Sequence, residues 1–509
     1  MAQQLQNINL IAPGFKGINT EDSPLGQEPT FAAVADNCVI DRFGRIAARK
    51  GFNTLTETKT ELGSASVEVI HEFRDSAGNE VLFSCGNNKI LSGTTTLADE
   101  TPATYSITSN EWDVVNFNDN AYFFQRGYEP LVYSDSLGAV TKMSDVAGYG
   151  VNPARTDMDG NTVLAAFGRL WVADFADDKS TIYWSDLLQG HVWNGGSSGS
   201  IDISKVWPDG YDEIVRLDTQ NDFLIIFGKH SILVYSGAGS PATMQVSDSI
   251  SGIGARCRCG VQNIGTDILF VSYDGVRSLG RVIQEKSLPI GDLSRNIKND
   301  LIGQLSAETT PLRTVYSPEN NFFLVGLRDQ DLIYCFDVRG KLENGSYRVT
   351  RWTGTNWTAF YRNDNGTLYI GSEAGIGFYD GYQDNGSSYR MAYFSQNLTF
   401  GDSSRLKILK KIKPTILGGQ GSQVVFKWGY DFSGSFQSQT VTLLSQTIAE
   451  YNVAEFNNSE FSSGTVFTRN NINTTGNGSS VVVGFEASIN QNILSLQEIN
   501  VFTLIGKLV

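Results

Sequence analysis

The chain has 509 residues, with 39 Lys and Arg against 54 Asp and Glu and a formal charge of −15, and that balance excludes a protein that wraps nucleic acid through a basic surface. A hydrophobic content of 40% excludes wholesale disorder, and the length exceeds one simple core unless the fold is a large repeat ring. With 52 Gly, 29 Phe, 20 Tyr and only 18% charged residues, the composition is that of an all-β protein with many turns. The acidity suits a surface that DNA slides past without sticking; simple solubility is the plainer account.

The N-terminus, MAQQLQNINLIAPGF, lacks a basic n-region and an apolar h-region, so a signal peptide is not expected. The longest apolar run, FLIIF, falls far short of the ~20 residues that span a bilayer, and a soluble chain made in a reducing cytoplasm is expected. Residues 1–35 are rich in Pro and Gly and read as an extended arm that needs a surface to lie on. The stretch Ala35–Phe52 then reads as a hairpin turning at Asp41–Gly44, with Arg42, Arg45, Arg49 and Lys50 as the most basic spot of the chain. A solvated edge guarded by charge is one reading of that spot, and contact with an acidic partner is the other. Residues 53–66 read as a linker.

From 67 to 387 one pattern recurs: an apolar run, a tight turn and a second apolar run. It is clearest in FLIIFGKHSILVYSGAG (Phe223–Gly239), where Lys229 and His230 occupy the turn. Further copies are VLFSCGNNKILSG, AYFFQRGYEPLVYSD, AAFGRLWVADF, ILFVSYDGVRSLG, FFLVGLRDQDLIYCFD and LYIGSEAGIGFYDG. Strands such as VEVIHEF, EWDVVNF, TIYWSD, EIVRLDT and RTVYS lie between them. Four strands repeated every roughly 40–50 residues predict a β-propeller of six to seven blades. Leu293, Ile297, Leu301 and Ile302 have helical spacing and predict one short helix, capped by Asp292 or Ser294. From 388 to 509 the strands lengthen and alternate, as in LKILKKIKPTIL with Lys407, Lys410, Lys411 and Lys413. This predicts a β-rich, sandwich-like platform domain with a long loop or hairpin tip over Phe456–Ser480 and a docked C-terminus.

Little chemistry is visible. The five Cys are scattered; Cys257 and Cys259 form a C-x-C that is not a zinc pattern, and buried reduced thiols are expected. His71, His191 and His230 lie in different repeats and no hydrolase, zincin or phosphate-loop motif is present. WSDLLQGHVW approaches a sialidase-type turn through Ser185, Asp186, Gly190 and Trp193, but with the wrong spacing, so Trp184 and Trp193 are expected to pack. Asp157–Asn161 (DMDGN) has Gly160 too early for a calcium loop and reads as a β-turn. No catalytic, cofactor-binding or metal-binding residue is assigned, and no cofactor is expected.

The N-terminal stretch IAPGFKGINTEDSPLGQEPTFAAVADNCVIDRFGRIAARKGF resembles the tail nozzle proteins (tail tubular protein B) of short-tailed bacteriophages of the podovirus type, whose "PGF-x-G-x-N" opening leads to "ADNCVIDRFGRIGARKG". Further echoes are LWVADFADDKSTIYWSD, GIGARCRCGVQNIGTDILFVSYDGVRSL and QEINVFTLIGKLV. The resemblance implies a propeller joined to a β-rich platform and a non-enzymatic virion protein assembled in the host cytoplasm. It implies a hexameric ring around the DNA-ejection channel, below the portal adaptor, with tail fibres outside and DNA passing without specific binding. On that resemblance the basic hairpin would meet the adaptor or a neighbouring subunit. Alternatives from other classes are a propeller glycosidase or depolymerase and a glycan-binding receptor module. An enzyme should gather carboxylates and Arg at the propeller axis; an assembly protein should offer large surfaces to neighbouring subunits.

Overall fold

The computed structural model describes residues 5–12, 14–285, 292–419, 421–443 and 467–508. The recurrent hairpins fold within seven antiparallel sheets, as the second and third strands in all but the hairpin AAFGRLWVADF, which forms the first and second; the first strands are Val69–Arg74, Asp113–Phe117, Thr162–Ala166, Ile214–Gln220, Val261–Asn263, Arg313–Ser317 and Ala359–Arg362. Consecutive first strands pack side by side and the seventh returns to the first, so the ring is closed, with Thr358 Oγ1 donating to Val67 O at 2.6 Å across the seam. We number the blades one to seven in that order. Six have a four-stranded blade; blade five has three strands in its sheet and continues into the helix Leu279–Glu285. The founding hairpin is the middle of blade four, Phe223–Gly228 paired with Ser231–Ser236. Its two faces feed different cores: Leu224 and Ile226 pack toward blade three, Ile225 and Phe227 toward blade five. Two-sided burial is what a blade demands and is why the interiors of these strands, Leu224–Phe227 and Ile232–Tyr235, are continuous apolar and aromatic runs.

Blade seven is finished by a strand from the far end of the sequence. Phe52–Thr54 pairs with Gly375–Tyr379 as its outer strand. The linker expected at 53–66 therefore begins inside the propeller. The boundary at 387/388 is crossed as well. The outer strand of blade six, Tyr347–Thr353, meets Ala32–Asp36, and the same sheet continues through Tyr389–Ser395, Val481–Ile489, Gln423–Tyr430 and Phe436–Thr442. A second sheet is built on the long pair Arg405–Gly418 and Leu494–Leu508, to which Leu5–Asn9 and the hairpin Cys38–Ile40/Ile46–Ala48 add. One apolar core spans the N-terminal segment, blades five and six and both platform sheets.

The arm expected to need a partner instead lies on its own chain. Leu10, Phe15 and Ile18 are buried, and Leu10 N–H donates to Ile499 O. Gly17 lies where a Cβ would meet Val349 N at 2.6 Å, at φ +89°, so only glycine permits that approach. The expected helix forms as Lys298–Ala307 after a 3-10 turn at Arg295–Ile297. Neither Asp292 nor Ser294 caps it: Asp292 Oδ1 accepts from Ser294, and Glu21 of the arm accepts from Asn299 N–H at 2.5 Å. Lys407 is not part of an exposed basic group; it is fully buried, whereas Lys410 and Lys413 are exposed. Of the tip expected at Phe456–Ser480, residues 456–466 lie outside the described residues. The remainder pairs with Arg405–Gly418 through Phe467–Arg469, Ile472–Asn473 and Asn477–Gly478.

Candidate functional site

Several first strands of the ring carry a charged residue at or near their start, and the ring brings those starts together. Glu68, Glu111, Asp113, Arg216, Arg258 and Arg313 come from five blades and their entry loops. Arg328, from the second hairpin turn of blade six, joins them. Glu111 accepts from Arg313 at 2.6 Å and from Arg328 at 3.2 Å, so blade two is tied to blade six across the axis. Arg328 also lies 3.7 Å from Glu68, and Arg216 pairs with Asp113 at 2.6 Å. Asp113 accepts a further bond from Val163 N–H at 2.9 Å. Arg258 donates to Asn161 O, to Asn161 Oδ1 at 2.9 Å and to Glu111 O at 2.9 Å. Arg313 Nη1 donates to the Cys259 sulfur at 3.2 Å, and Thr314 Oγ1 donates to Cys259 O.

The axis is thus filled, not open. The plug separates two cavities of about 240 and 230 Å³, both lined by Arg258 and Cys259. Burial alone would raise the carboxyl of Glu111, but Arg313 above all outweighs it and holds it below the usual range. Burial likewise opposes ionisation of Asp113, and Arg216 and Arg258 overcome it. Burial would lower Arg313, yet Cys259 and Glu111 hold its guanidinium more firmly protonated. Asp218, beside Arg216, goes the other way: burial dominates and pushes its carboxyl up. Burial also pushes the Cys257 thiol up to about 12. The grouping of carboxylates and Arg expected of a propeller enzyme is present, but its carboxylates are occupied by guanidiniums.

The residues singled out in the sequence do not converge. His71 lines the second axial cavity, hydrogen-bonded to Asn116 Oδ1 at 2.9 Å and edge-on to Tyr361, and burial lowers its pKa. His191 is by Gly148 in the third repeat, and His230 stacks on Tyr273 at 5.5 Å. Asp186 accepts from Leu187 N–H and Ser197 N–H, closing its own turn, while Trp184 donates to Ser197 O and Trp193 packs on Phe124. In Asp157–Asn161 the oxygens diverge: Asp157 accepts from Met158 N–H, Asp159 pairs with Arg155, and Asn161 serves Arg258. Among the described residues no group of three or more His, Cys, Asp or Glu could hold a metal ion.

The basic hairpin is a correction. Arg49 is fully buried and forks onto Asp384 at 2.9 and 2.6 Å, with Nε donating to Asn37 Oδ1 at 3.0 Å. Its guanidinium lies 4.1 Å from the Tyr389 ring centroid and 5.0 Å from that of Trp357. Arg45 pairs with Asp41 at 2.6 Å and Lys50 with Asp380 at 3.2 Å. Only Arg42 remains exposed, stacked on the exposed Phe43. The hairpin therefore joins propeller to platform within one chain. The joint faces a cavity of about 530 Å³, whose lining includes Thr355, Asn356, Glu373, Asn385 and Arg390.

No protein-family model matches the chain, and no curated protein matches it. Solved structures do. The extracellular domain of a one-component system of B. thetaiotaomicron is 11% identical with a TM-score of 0.44; the match covers 81% of this chain and 59% of that one, less than two thirds of its length. The WD40 domain of Neurospora crassa Pan2 is 10% identical with a TM-score of 0.38, covering 65% of this chain and 94% of that one. The WD40 β-propeller domain of Doa1 is 11% identical with a TM-score of 0.37, covering 65% and 96%. By its own sheet topology the chain is an all-β protein with a β-propeller and an additional β-rich region.

Proposed function

We propose that the chain is a structural virion protein, a subunit of a hexameric nozzle ring around the DNA-ejection channel of a short phage tail. It attaches below the portal adaptor, carries tail fibres and performs no catalysis. One observation carries the reading: the stretch that resembles nozzle proteins, Ile11–Phe52, is the stretch that builds the joint. It contributes strands to both platform sheets, the buried Arg49 and, in Phe52, the start of the closing strand of blade seven. A resemblance confined to decorative loops would carry less. The plugged axis adds that DNA would pass between subunits and not through a propeller.

The charged axis also gives the enzyme reading a specific foothold, since a glycosidase needs two carboxylates. A general acid, however, needs an accessible carboxyl whose pKa is raised; Glu111 and Asp113 are both held below the usual range, and Asp218, which is raised, lines neither axial cavity. Mass photometry of the purified chain, alone and with its adaptor, decides between the two. Assembly to a hexamer supports the nozzle; a monomer that hydrolyses host surface polysaccharide overturns it.

A further inference from the structure

At the axial plug the guanidiniums outnumber the carboxylates that lie within ion-pair distance of them. Four guanidiniums, of Arg216, Arg258, Arg313 and Arg328, meet three carboxylates, of Glu68, Glu111 and Asp113. Asp113 answers Arg216, and Glu111 is shared between Arg313 and Arg328. Arg258 is 8% exposed, and among the described residues no carboxylate oxygen lies within 4.0 Å of its nitrogens; its bonds go to neutral oxygens. Arg258 acts on Glu111 and Asp113 through space without touching either carboxylate, and a buried cation with no direct ion pair is one that proteins neutralise by pairing it or by binding an ion. Two more donors are in surplus: Nε of Arg216 and Nε of Arg328 are buried without a hydrogen-bond partner.

Arg216, Arg258 and Arg313 all line the cavity of about 230 Å³. That space holds one small anion with a few waters, since a water claims about 30 Å³ of liquid volume. The three guanidiniums come from different blades, and each is already fixed by bonds to protein, so little side-chain entropy remains to be lost on binding.

We propose that this axial cavity is a binding site for a small tetrahedral oxyanion of the phosphate or sulfate class, held by Arg216, Arg258 and Arg313. Such forks match tetrahedral oxyanions in geometry as well as charge. The anion supplies the direct ion pair that Arg258 lacks and ties blades four, five and six at the axis. Glu68 and Asp113 stand on the same wall, and Arg328 and Arg216 screen them. A cavity of about 230 Å³ has no room for a nucleic acid strand. The inference is independent of the nozzle reading.

The full chain is tested by thermal unfolding in inorganic phosphate or sodium sulfate against sodium chloride of equal ionic strength. Sulfate stabilises folded proteins generally by exclusion, so an Arg258→Gln variant is the necessary comparison. Wild type should gain several degrees, saturating in the millimolar range, and Arg258→Gln should lose at least half of that gain. The second readout is alkylation of Cys259, which lines both cavities and is partly exposed, mapped by mass spectrometry. Phosphate should slow it several-fold, whereas a short single-stranded DNA should leave it unchanged. Equal gains in wild type and variant, alkylation indifferent to phosphate, or protection by DNA would each overturn the site. If Arg258→Gln does not fold, the wild-type alkylation decides alone: saturable protection by phosphate supports the site and its absence refutes it.

Discussion

Two of the places where the chain buries arginine, the joint and the propeller axis, treat it in opposite ways. At the joint, Arg49 has one carboxylate, one amide oxygen, one carbonyl and stacked aromatic rings, and every direction of its guanidinium is used. At the axis, guanidiniums outnumber the carboxylates in contact with them, two Nε groups have no acceptor, and cavities lie on both sides. A saturated arginine is mortar: it fixes one geometry and leaves nothing for a ligand. An under-neutralised cluster beside a cavity is fixed too, but has binding capacity left over. Burial and charge are alike in the two regions; what differs is the number of acceptors that reach each donor.

The largest effect should come from breaking the saturated site. Asp384→Ala leaves Arg49 buried with its partner removed, which should cost about 3–5 kcal/mol. Urea denaturation would read this as a fall in midpoint at unchanged slope; a loss below about 1 kcal/mol would mean that aromatic stacking and amide contacts suffice on their own. Gly17→Ala strikes the same joint from the arm side. The strained φ and the clash with Val349 predict a loss of roughly 1–3 kcal/mol by the same assay.

Next in size is the axis. Glu111→Gln keeps the shape but removes the charge shared by Arg313 and Arg328, and should destabilise by about 1–3 kcal/mol at neutral pH. Its pH dependence sharpens the comparison. The folded-state carboxyls of Glu111 and Asp113 lie below their unfolded values, so their contribution is present at neutral pH and is lost as pH falls through the folded values. Asp218 has the opposite sign, its carboxyl being raised by burial, so acidification relieves a cost there. Stability measured from neutral pH down to about pH 3 should therefore fall less steeply in Glu111→Gln than in wild type. Equal slopes would show that the Glu111 pair contributes nothing to acid sensitivity. The smallest effect is expected at the exposed pair Arg74–Glu80, where Arg74→Gln should change stability by no more than about 0.5 kcal/mol.

The propeller was legible because its unit is local. FLIIFG and SILVYS pair across a tight turn, and every inter-hairpin strand named from sequence has a counterpart, from Val69–Arg74 to Arg313–Ser317. What escaped was non-local. Phe52–Thr54 closes a blade whose other strands begin 307 residues later, at Ala359, and nothing in FNT signals that partner. The cap of the helix Lys298–Ala307 comes from Glu21, beyond the reach of any local capping rule. The basic hairpin misled for the same reason: the carboxylate that answers Arg49 is Asp384. The axial cluster left one usable trace. VEVIHEF, EWDVVNF, EIVRLDT and RTVYS each carry charge at or near the start of an apolar strand, and in a closed ring such starts converge. The helix Leu279–Glu285 left none, since its seven residues are too few for periodicity to stand out.

The central claim is that this propeller and platform form one stiff block of a tail ring. Negative-stain electron microscopy of the purified chain mixed with its adaptor tests it most directly. Six-fold rings with an opening between propellers are the predicted result; isolated single propellers that never associate with adaptor would contradict it.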